Sequence, residues 1–325
     1  MTASPDTAAG APEVAVVIAT RARETRLAFA LEALAQQTLD PGRFEVIVVR
    51  AAAPDAALAA APGGLRARFL DHRGPPGAAA QRNAGWRATR APLVAFIDDD
   101  CRPTAGWLAA VLAAAGDEAT IVQGRIETDP GERHLLYGLA RGHEITGPSP
   151  RYEAGNIAYP RALLERVGGF DESYSGYAWG EDTDLGVRAV AAGAELAYAD
   201  DALVWHAVIP RTLLAAVGES RRYASLVRLL ARYPGLRRRL YPHGVVKASH
   251  PLLLLALAGL AVGGRRRALV LAVPYLLWHL RLGAVRPTPR RLARFALHLP
   301  AVAVSDLAEL AVTLAAAARH RVPVL

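Results

Sequence analysis

The sequence predicts an α/β fold in which a mostly parallel central sheet is flanked by helices, followed by an α-helical C-terminal appendage. Short apolar runs alternate with helix-like segments over the first 210 residues, as they do in βαβ units. One of these runs, residues 93–97, leads directly into three acids, which is typical of the carboxyl end of a buried strand. Residues 211–325 instead combine long apolar segments with many arginines, which predicts helices there.

We expect strands where apolar residues follow one another, and helices where apolar residues recur every three or four positions. The expected strands cover residues 14–19, 44–49, 67–70, 93–97, 120–126 and 203–206. The expected helices cover residues 27–37, 78–89, 107–115, 160–167 and 182–192. Residues 131–159 follow neither pattern, and we expect them to form a long functional loop.

Composition excludes several classes of protein. Apolar residues make up 52% of the 325 residues, which is enough for a sizeable core. Cys101 is the single cysteine, so an internal disulfide and a zinc site built from cysteines are excluded. Residues 1–12 lack the basic and apolar regions of a secretory signal, and we expect them to be a disordered lead. The absence of a G-x-G-x-x-G after the first strand and of a P-loop argues against a dinucleotide-binding or P-loop fold.

Charge divides the chain into two expected domains, residues 13–210 and 211–325. The net charge is +8, but residues 211–325 contain 19 Lys or Arg against three acids, whereas the first 210 residues contain 19 basic and 27 acidic residues. We expect no nucleic-acid partner, because aromatic residues do not interleave with the arginines as a stacking platform requires.

The apolar segments of the second region predict association with a membrane surface. Residues 213–230 have the pattern of a basic amphipathic helix. The runs 251–262 and 268–280 would reach only about 18–20 Å as helices, short of a hydrocarbon core of about 30 Å, so an in-plane or re-entrant hairpin is favoured. Residues 295–318 are long enough to span, but they contain Pro300, Asp306 and Glu309. The alternative is a soluble helical cap or a dimer interface.

The acids after the fourth predicted strand, Asp98, Asp99 and Asp100, are the first candidate site. Three like charges at one strand end repel each other, and a divalent cation shared with a ligand's phosphates would relieve that repulsion. The carboxyl ends of strands are also where open α/β sheets bind ligands. The alternative is an acidic turn or a helix cap, although a cap needs only one acid.

A second acidic group, Glu181 and Asp182, follows Gly180 at the start of a predicted helix. The positive end of the helix dipole stabilises carboxylates at this position. Asp184 and Arg188 have the spacing of an intrahelical ion pair, whereas the two preceding acids have no such partner in sequence. A carboxylate at this position could act as a general base.

Together these segments resemble the family 2 glycosyltransferases of the GT-A fold. The resemblance runs in order along residues 13–207, and no single segment is decisive by itself. The matching segments are residues 16–23, 31–37, 81–85, 96–100, 155–158, 168–172 and 179–182.

The resemblance implies a transferase that moves a sugar from a nucleotide-diphosphate sugar, with Mg²⁺ or Mn²⁺ as cofactor, and with inversion. The basic, apolar second region would hold the active site at the cytoplasmic face of the membrane, so we expect a lipid-linked or cell-envelope glycan as acceptor. The implied catalytic residues are Asp182 as base, with Glu181 near the acceptor. The implied donor-binding residues are Thr20, Arg23, Arg82, Asn83, Asp98 and Asp99. The implied metal ligands are Asp100, Asp98 and His206, and the alternative for His206 is a satisfied histidine at a strand end.

One departure concerns the nucleotide base. The family usually carries acids after the second strand, whereas this chain has Arg50 and Ala51 there and its next acid is Asp55. The base is therefore left undetermined. Two other functions remain open at this point: a sugar-1-phosphate nucleotidyltransferase, which would usually show a glycine-rich loop after the first strand, and an inert membrane-docked binding module.

Overall fold

The computed structural model describes residues 11–21, 24–51, 61–117, 119–176, 179–262, 264–282 and 289–325. Two residues named above, Arg23 and Asp55, lie outside the described residues, as does most of the expected lead. The chain forms two compact units, here called the sheet unit and the helical unit. The sheet unit consists of Met1–Asp129, His143–Gly176 and Glu181–Ala207, and the helical unit of Pro130–Gly142, Tyr177–Gly180 and Val208–Leu325.

Among its described residues, the sheet unit contains eight strands and five α-helices. The strands are β1 (Val14–Thr20), β2 (Phe44–Arg50), β3 (Ala67–Asp71), β4 (Leu93–Asp98), β5 (Cys101–Pro103), β6 (Thr120–Thr128), β7 (Asn156–Pro160) and β8 (Glu195–His206). The helices are α1 (Glu24–Ala35), α2 (Ala78–Arg87), α3 (Trp107–Ala114), α4 (Arg161–Val167) and α5 (Glu181–Ala191). The strand order in the sheet is β3-β2-β1-β4-β7-β6-β8-β5.

The predicted α/β fold is confirmed, and the sheet is mixed. Strands β1 to β4 pair in parallel, as do β6 and β8, whereas β7 runs antiparallel to both β4 and β6, and β5 runs antiparallel to β8. Because β1 to β4 run the same way, their carboxyl ends meet at one edge. In register along that edge stand Thr20 beside Arg50 and Arg50 beside Asp71.

Alternation along the buried strands fills both faces of the sheet. In β1, Val14, Val16 and Ile18 belong to a core cluster that includes residues of α1 and α3. Val17 belongs to a second cluster that includes residues of α2, α4 and α5. A strand buried on both faces carries an unbroken apolar run, which is why the pattern of β1 was readable.

Two strands were not predicted, and one predicted strand is longer than expected. Residues 131–159 were expected to be irregular, but β7 begins within them at Asn156, and all five of its residues are buried. Strand β5 has only three residues. Strand β8 begins at Glu195 rather than residue 203, because it pairs with β6 on both sides of an irregularity at Gly124 and Arg125.

The helical unit contains α6 (Leu213–Glu219), α7 (Arg222–Arg232), α8 (Pro234–Leu240), α9 (Ser249–Val262), α10 (Arg265–Leu282) and α11 (Pro289–His320). The prediction of a single amphipathic helix over residues 213–230 is wrong, because α6 ends at Glu219 and a separate helix, α7, begins at Arg222. Among the described residues, one helix, Leu292–His320, is long and apolar enough to cross a membrane, and 33% of its most apolar window is buried in the protein.

The acids within α11 are neutralised inside the helical unit. The Nζ atom of Lys247 lies 2.7 Å from Asp306 Oδ1 and also contacts Glu309. The hydroxyl of Tyr275 donates to Asp306 at 2.9 Å, and a ring nitrogen of His279 lies 3.0 Å from the same carboxylate. These contacts explain how a predominantly apolar helix tolerates two buried carboxylates.

Candidate active site

The carboxyl end of β1 is tied to the acids that follow β4. The Thr20 hydroxyl donates to Asp99 Oδ2 at 2.6 Å. The side-chain amide of Gln81, on α2, donates at 2.8 Å to the main-chain carbonyls of both Thr20 and Val49. These bonds satisfy polar groups that would otherwise be buried unpaired at the strand ends. They hold the predicted donor-binding residues Thr20 and Asp99 at one edge of the sheet.

Arg82 joins the two acidic groups that the sequence suggested separately. Its Nη2 lies 2.8 Å from Asp98 Oδ1, and its Nη1 lies 3.1 Å from Glu181 Oε1. The Arg82 side chain is only 6% exposed, so both carboxylates compensate a charge that water hardly reaches. Burial alone would raise the pKa of Asp98, but Arg82, His206 and His143 hold that pKa below its usual value.

Asp182 is a partly buried acid of the second acidic group. Its Oδ2 accepts a hydrogen bond from the backbone amide of Ala154 at 3.2 Å. Burial, together with the neighbouring charges of Glu181 and Glu153, raises the pKa of Asp182 to about 8, against the opposing effect of Arg82. A carboxyl group in this condition exchanges a proton near neutral pH, which suits general acid–base chemistry.

The segment before β7 packs against α5 and forms a hydrogen bond to its first turn. The Thr183 hydroxyl donates to the carbonyl of Arg151 at 2.8 Å. Tyr152 adopts a left-handed backbone with a φ of 52°, and its buried ring lies against Gly186. A Cβ atom at Gly186 would meet that ring at 2.1 Å, so only glycine allows the close approach. This contact helps to set the position of the helix that carries Asp182.

A candidate metal site lies at the end of β8. One ligand atom from each of Asp100, Cys101 and His206 lies within 4.8 Å of the other two. The β5–β8 ladder creates this group by placing Cys101 directly opposite His206. The Nδ1 atom of His206 is 2.7 Å from the Ala207 carbonyl, which fixes the ring with Nε2 toward Asp100, 3.6 Å away.

The donor atoms of this group fit a divalent cation. A carboxylate oxygen with an imidazole nitrogen suits Mn²⁺ and similar ions. Burial raises the pKa of Cys101 well above its usual value, so its sulfur is a neutral thiol. Asp98 is engaged by Arg82 rather than included in this group, so its role as a metal ligand stays a prediction. The ring of His143 lies 5.6 Å from that of His206 and was not anticipated from the sequence.

The side-chain amide of Asn83 forms hydrogen bonds to other residues of the protein. Its amide donates to the Phe170 carbonyl at 2.9 Å and to Glu172 at 2.7 Å, and its oxygen accepts from the Trp86 indole at 2.9 Å. The side chain is buried and holds α2 against the turn after α4. The geometry gives Asn83 a structural role, and its contact with a donor stays a prediction.

The strand end that departs from the family pattern is also paired. The Arg50 guanidinium lies 3.0 Å from Asp71 Oδ1, at the end of β3, and 5.1 Å from the ring centroid of Phe69. An acid is therefore present at this edge on the neighbouring strand. The family pattern did not point to Asp71, because that pattern places acids after the second strand and Asp71 ends the third.

Sequence reasoning also missed Glu153 and Gln123. The amide of Gln123, buried in β6, donates to Glu153 at 3.2 Å, and its oxygen accepts from the backbone amide of Ser149 at 2.7 Å. Glu153 is one of the charges that raise the pKa of Asp182. No sequence motif marks either residue, because their proximity depends on the unpredicted strand β7 and the turn before it.

Two family models match the chain. The model for Glycosyl transferase family 2 matches residues 15–170, and that for Glycosyl transferase family group 2 matches residues 93–304. The chain therefore belongs to the family 2 glycosyltransferases, and the predicted family is confirmed.

Curated relatives are glycosyltransferases of greater length. The chain is 34% identical over 150 residues to a pre-mycofactocin glycosyltransferase of Mycobacterium tuberculosis, covering 42% of this chain and 31% of that protein. It is 27% identical over 276 residues to validoxylamine A glucosyltransferase of Streptomyces hygroscopicus subsp. limoneus, covering 71% of this chain and 59% of that protein. The chain thus spans 31% and 59% of the length of these two relatives.

A solved structure supports the fold. A mannosyltransferase from Pyrobaculum calidifontis, in complex with GDP-Man and Mn²⁺, superposes with a TM-score of 0.63 at 20% sequence identity. The match covers 91% of this chain and 87% of that one. The predicted GT-A fold is confirmed at this level of similarity.

Replacing Gly186 by alanine should destabilise the sheet unit, because the new methyl group collides with the Tyr152 ring. We expect a loss of about 1–3 kcal/mol, typical of overpacking, measured by thermal or denaturant unfolding. Gly218→Ala is the matched control in helix α6, since a Cβ atom added there would meet no described neighbour within 4 Å outside its own helix. That substitution should be neutral or stabilise the protein by up to about 1 kcal/mol. Equal stability of the two variants would contradict the packing argument.

Proposed function

We propose that this protein is a metal-dependent, inverting glycosyltransferase that moves a sugar from a nucleotide-diphosphate sugar to an acceptor hydroxyl. The observation that carries the proposal is the bridge from Arg82 to both Asp98 and Glu181, which unites the two acidic groups. Family membership supports glycosyl transfer. The mannosyltransferase with GDP-Man and Mn²⁺ supports a nucleotide sugar and a divalent cation.

The residues of this chain divide the chemistry between them. Mn²⁺ or Mg²⁺, when bound, supplies positive charge that stabilises the diphosphate as it leaves. Asp100 and His206 would hold the ion, and Thr20 and Asp99 would line the donor pocket. Asp182 takes the proton from the acceptor hydroxyl, and that oxygen forms a bond to the anomeric carbon as the bond to the diphosphate breaks on the opposite face. Configuration therefore inverts.

Arg82 has a separate task in this mechanism. By pairing with Glu181 it fixes that carboxylate beside the acceptor, and by pairing with Asp98 it keeps that acid ionised near the donor. Asp98 then does not compete with Asp182 for the acceptor proton, because the buried guanidinium of Arg82 helps to hold the pKa of Asp98 below its usual value.

The donor proposal is tested by screening UDP- and GDP-sugars for release of nucleoside diphosphate, with and without Mn²⁺. We expect release that requires the metal and that is lost in Asp100→Ala. Asp200→Ala is the matched control, because that acid is exposed and pairs with Arg125 rather than with a proposed ligand. Release that is unaffected by Asp100→Ala, or by removal of Mn²⁺ with a chelator, would count against the metal assignment.

Asp182→Asn should lower kcat by about 10²–10⁴-fold, because general-base assistance typically contributes that much. Binding of the nucleotide sugar, measured by calorimetry, should stay near the wild-type value. The wild-type kcat/KM should rise with pH toward an apparent pKa of about 8, since the base must lose its proton before it can accept one. The residual activity of the variant should lack that rise, and normal turnover would reject the assignment.

We also propose that the helical unit binds the cytoplasmic face of a membrane. Large apolar side chains are exposed on its helices, among them Leu260 on α9, Leu269 and Val270 on α10, and Leu297 on α11. Arg266 and Arg267 are exposed at the start of α10, where they can meet anionic headgroups. A lipid-linked or cell-envelope glycan acceptor follows from this placement.

Flotation with lipid vesicles tests the membrane proposal. The protein should float with vesicles containing phosphatidylglycerol, and less with pure phosphatidylcholine. The double variant Leu269→Asp, Val270→Asp should float less, because it places charges on the exposed apolar face. Asp200→Asn serves as the control substitution. A wild-type protein that ignores both kinds of vesicle contradicts the proposal.

A further inference from the structure

Three arginines of the helical unit converge on one carboxylate oxygen. Glu219 Oε2 lies 2.9 Å from a nitrogen of Arg211, 3.3 Å from one of Arg222 and 3.4 Å from one of Arg141. We call these four residues the arginine cluster. Three guanidinium groups and one carboxylate give the cluster a net charge of +2. The excess positive charges repel one another, and an anion placed among them would be attracted to the cluster.

The guanidinium groups are held in place by the fold. Those of Arg141 and Arg222 lie 5.2 and 5.4 Å from the ring centroid of Trp179. The Nε atom of Arg211 donates to the carbonyl of Leu139 at 2.8 Å. Arginines stacked on an aromatic ring and bonded to main chain lose little freedom when a ligand arrives, so the cluster is preorganised.

The cluster is accessible from solvent. The side chains of Arg211 and Arg222 are each 14% exposed, and that of Arg141 is 37% exposed. Burial, and after it the neighbouring charge of Arg211, lowers the pKa of Arg141 against the opposing effects of Glu219, Tyr223 and Glu309. An anion that entered here would relieve this repulsion.

The charge and geometry of the cluster match a phosphate monoester. Such a group carries about −1.5 to −2 charges at neutral pH and presents three acceptor oxygens. Guanidinium groups bind phosphate oxygens through paired hydrogen bonds. The single oxygen of Glu219 cannot accept from every N–H donor that the three guanidinium groups carry. A carboxylate ligand would bring only one negative charge and would neutralise half of the excess.

We propose that the arginine cluster binds the phosphate monoester of a phosphorylated acceptor, an inference that rests on the glycosyl transfer proposed above. The guanidinium groups of Arg141 and Arg222 lie over the ring of Trp179. Trp179 precedes the acid Glu181 by two residues in the chain. The phosphate is the group that is bound, and it is not the group that is glycosylated. No bond to phosphorus forms or breaks at the cluster.

Calorimetry on the full chain tests this site with two probes, inorganic phosphate and submicellar dodecyl phosphate. Arg211→Gln and Arg222→Gln should each weaken binding by roughly 10- to 100-fold, because each removes a charge-assisted hydrogen bond. Glu219→Gln should instead tighten binding by roughly 10-fold, since it removes the competing carboxylate. Arg319→Gln, at an exposed position near the end of α11, should change nothing.

The outcomes separate a binding site from a merely structural cluster. If the cluster only holds helices together, Glu219→Gln lowers thermal stability without strengthening phosphate binding, and the proposal fails. It also fails if Arg319→Gln weakens binding as much as Arg211→Gln does, or if neither probe binds. Stronger binding of dodecyl phosphate assigns a lipid phosphate, and equal binding of both probes assigns a soluble phosphorylated acceptor.

Donor hydrolysis with Mn²⁺, measured on the same variants, distinguishes this inference from the proposed function. Hydrolysis that persists in a protein with no phosphate binding overturns the arginine site alone. Phosphate binding that obeys the expected order, in a protein that hydrolyses no nucleotide sugar, contradicts glycosyl transfer and leaves the anion site standing.

Discussion

The buried guanidinium of Arg82 is the interaction on which the geometry of the candidate site depends. A charge removed from water must be compensated nearby, and Arg82 takes its compensation from Asp98 and Glu181. One cation cannot neutralise three acids equally. Asp98 is held at low proton affinity, whereas Asp182 remains in a buried, negatively charged setting with a raised pKa. The placement of a single arginine thus decides which carboxyl group is available to exchange a proton.

The parallel half of the sheet explains why these side chains can meet. Strands β1 to β4 end along one edge, and Gln81 ties the last carbonyls of β1 and β2 together. The Thr20–Asp99 hydrogen bond extends that link to the turn after β4. These contacts satisfy polar groups at the strand ends and link the ends of β1, β2 and β4 to one another.

The sequence predicts those elements whose structure depends on neighbouring residues in the chain. The runs of β1, β2 and β4 are buried on both faces, so their apolar character was continuous and readable. The acids after β4 and those at the start of α5 stood out because charge directly follows or begins a regular element. The family resemblance rested on these same segments.

The contacts that the sequence could not reveal all depend on long-range pairing. Cys101 faces His206 only because β5 pairs with β8. Tyr152 meets Gly186 only because the turn before β7 packs on α5. The break between α6 and α7 was hidden by helical periodicity that continues through Glu219 and Arg222. In the first two cases the residue that makes the contact is distant in the chain. In the third, a regular helical pattern continues through the break, so the local sequence does not indicate it.

The buried group around Lys247 has a consequence for how α11 reaches its place during synthesis. Asp306 and Glu309 would be penalised in lipid or in an apolar interior without a cation. Lys247 precedes them in the chain, so the ribosome produces the neutralising ammonium before the two carboxylates emerge. Docking of α11 against the other helices of the helical unit can therefore follow translation directly.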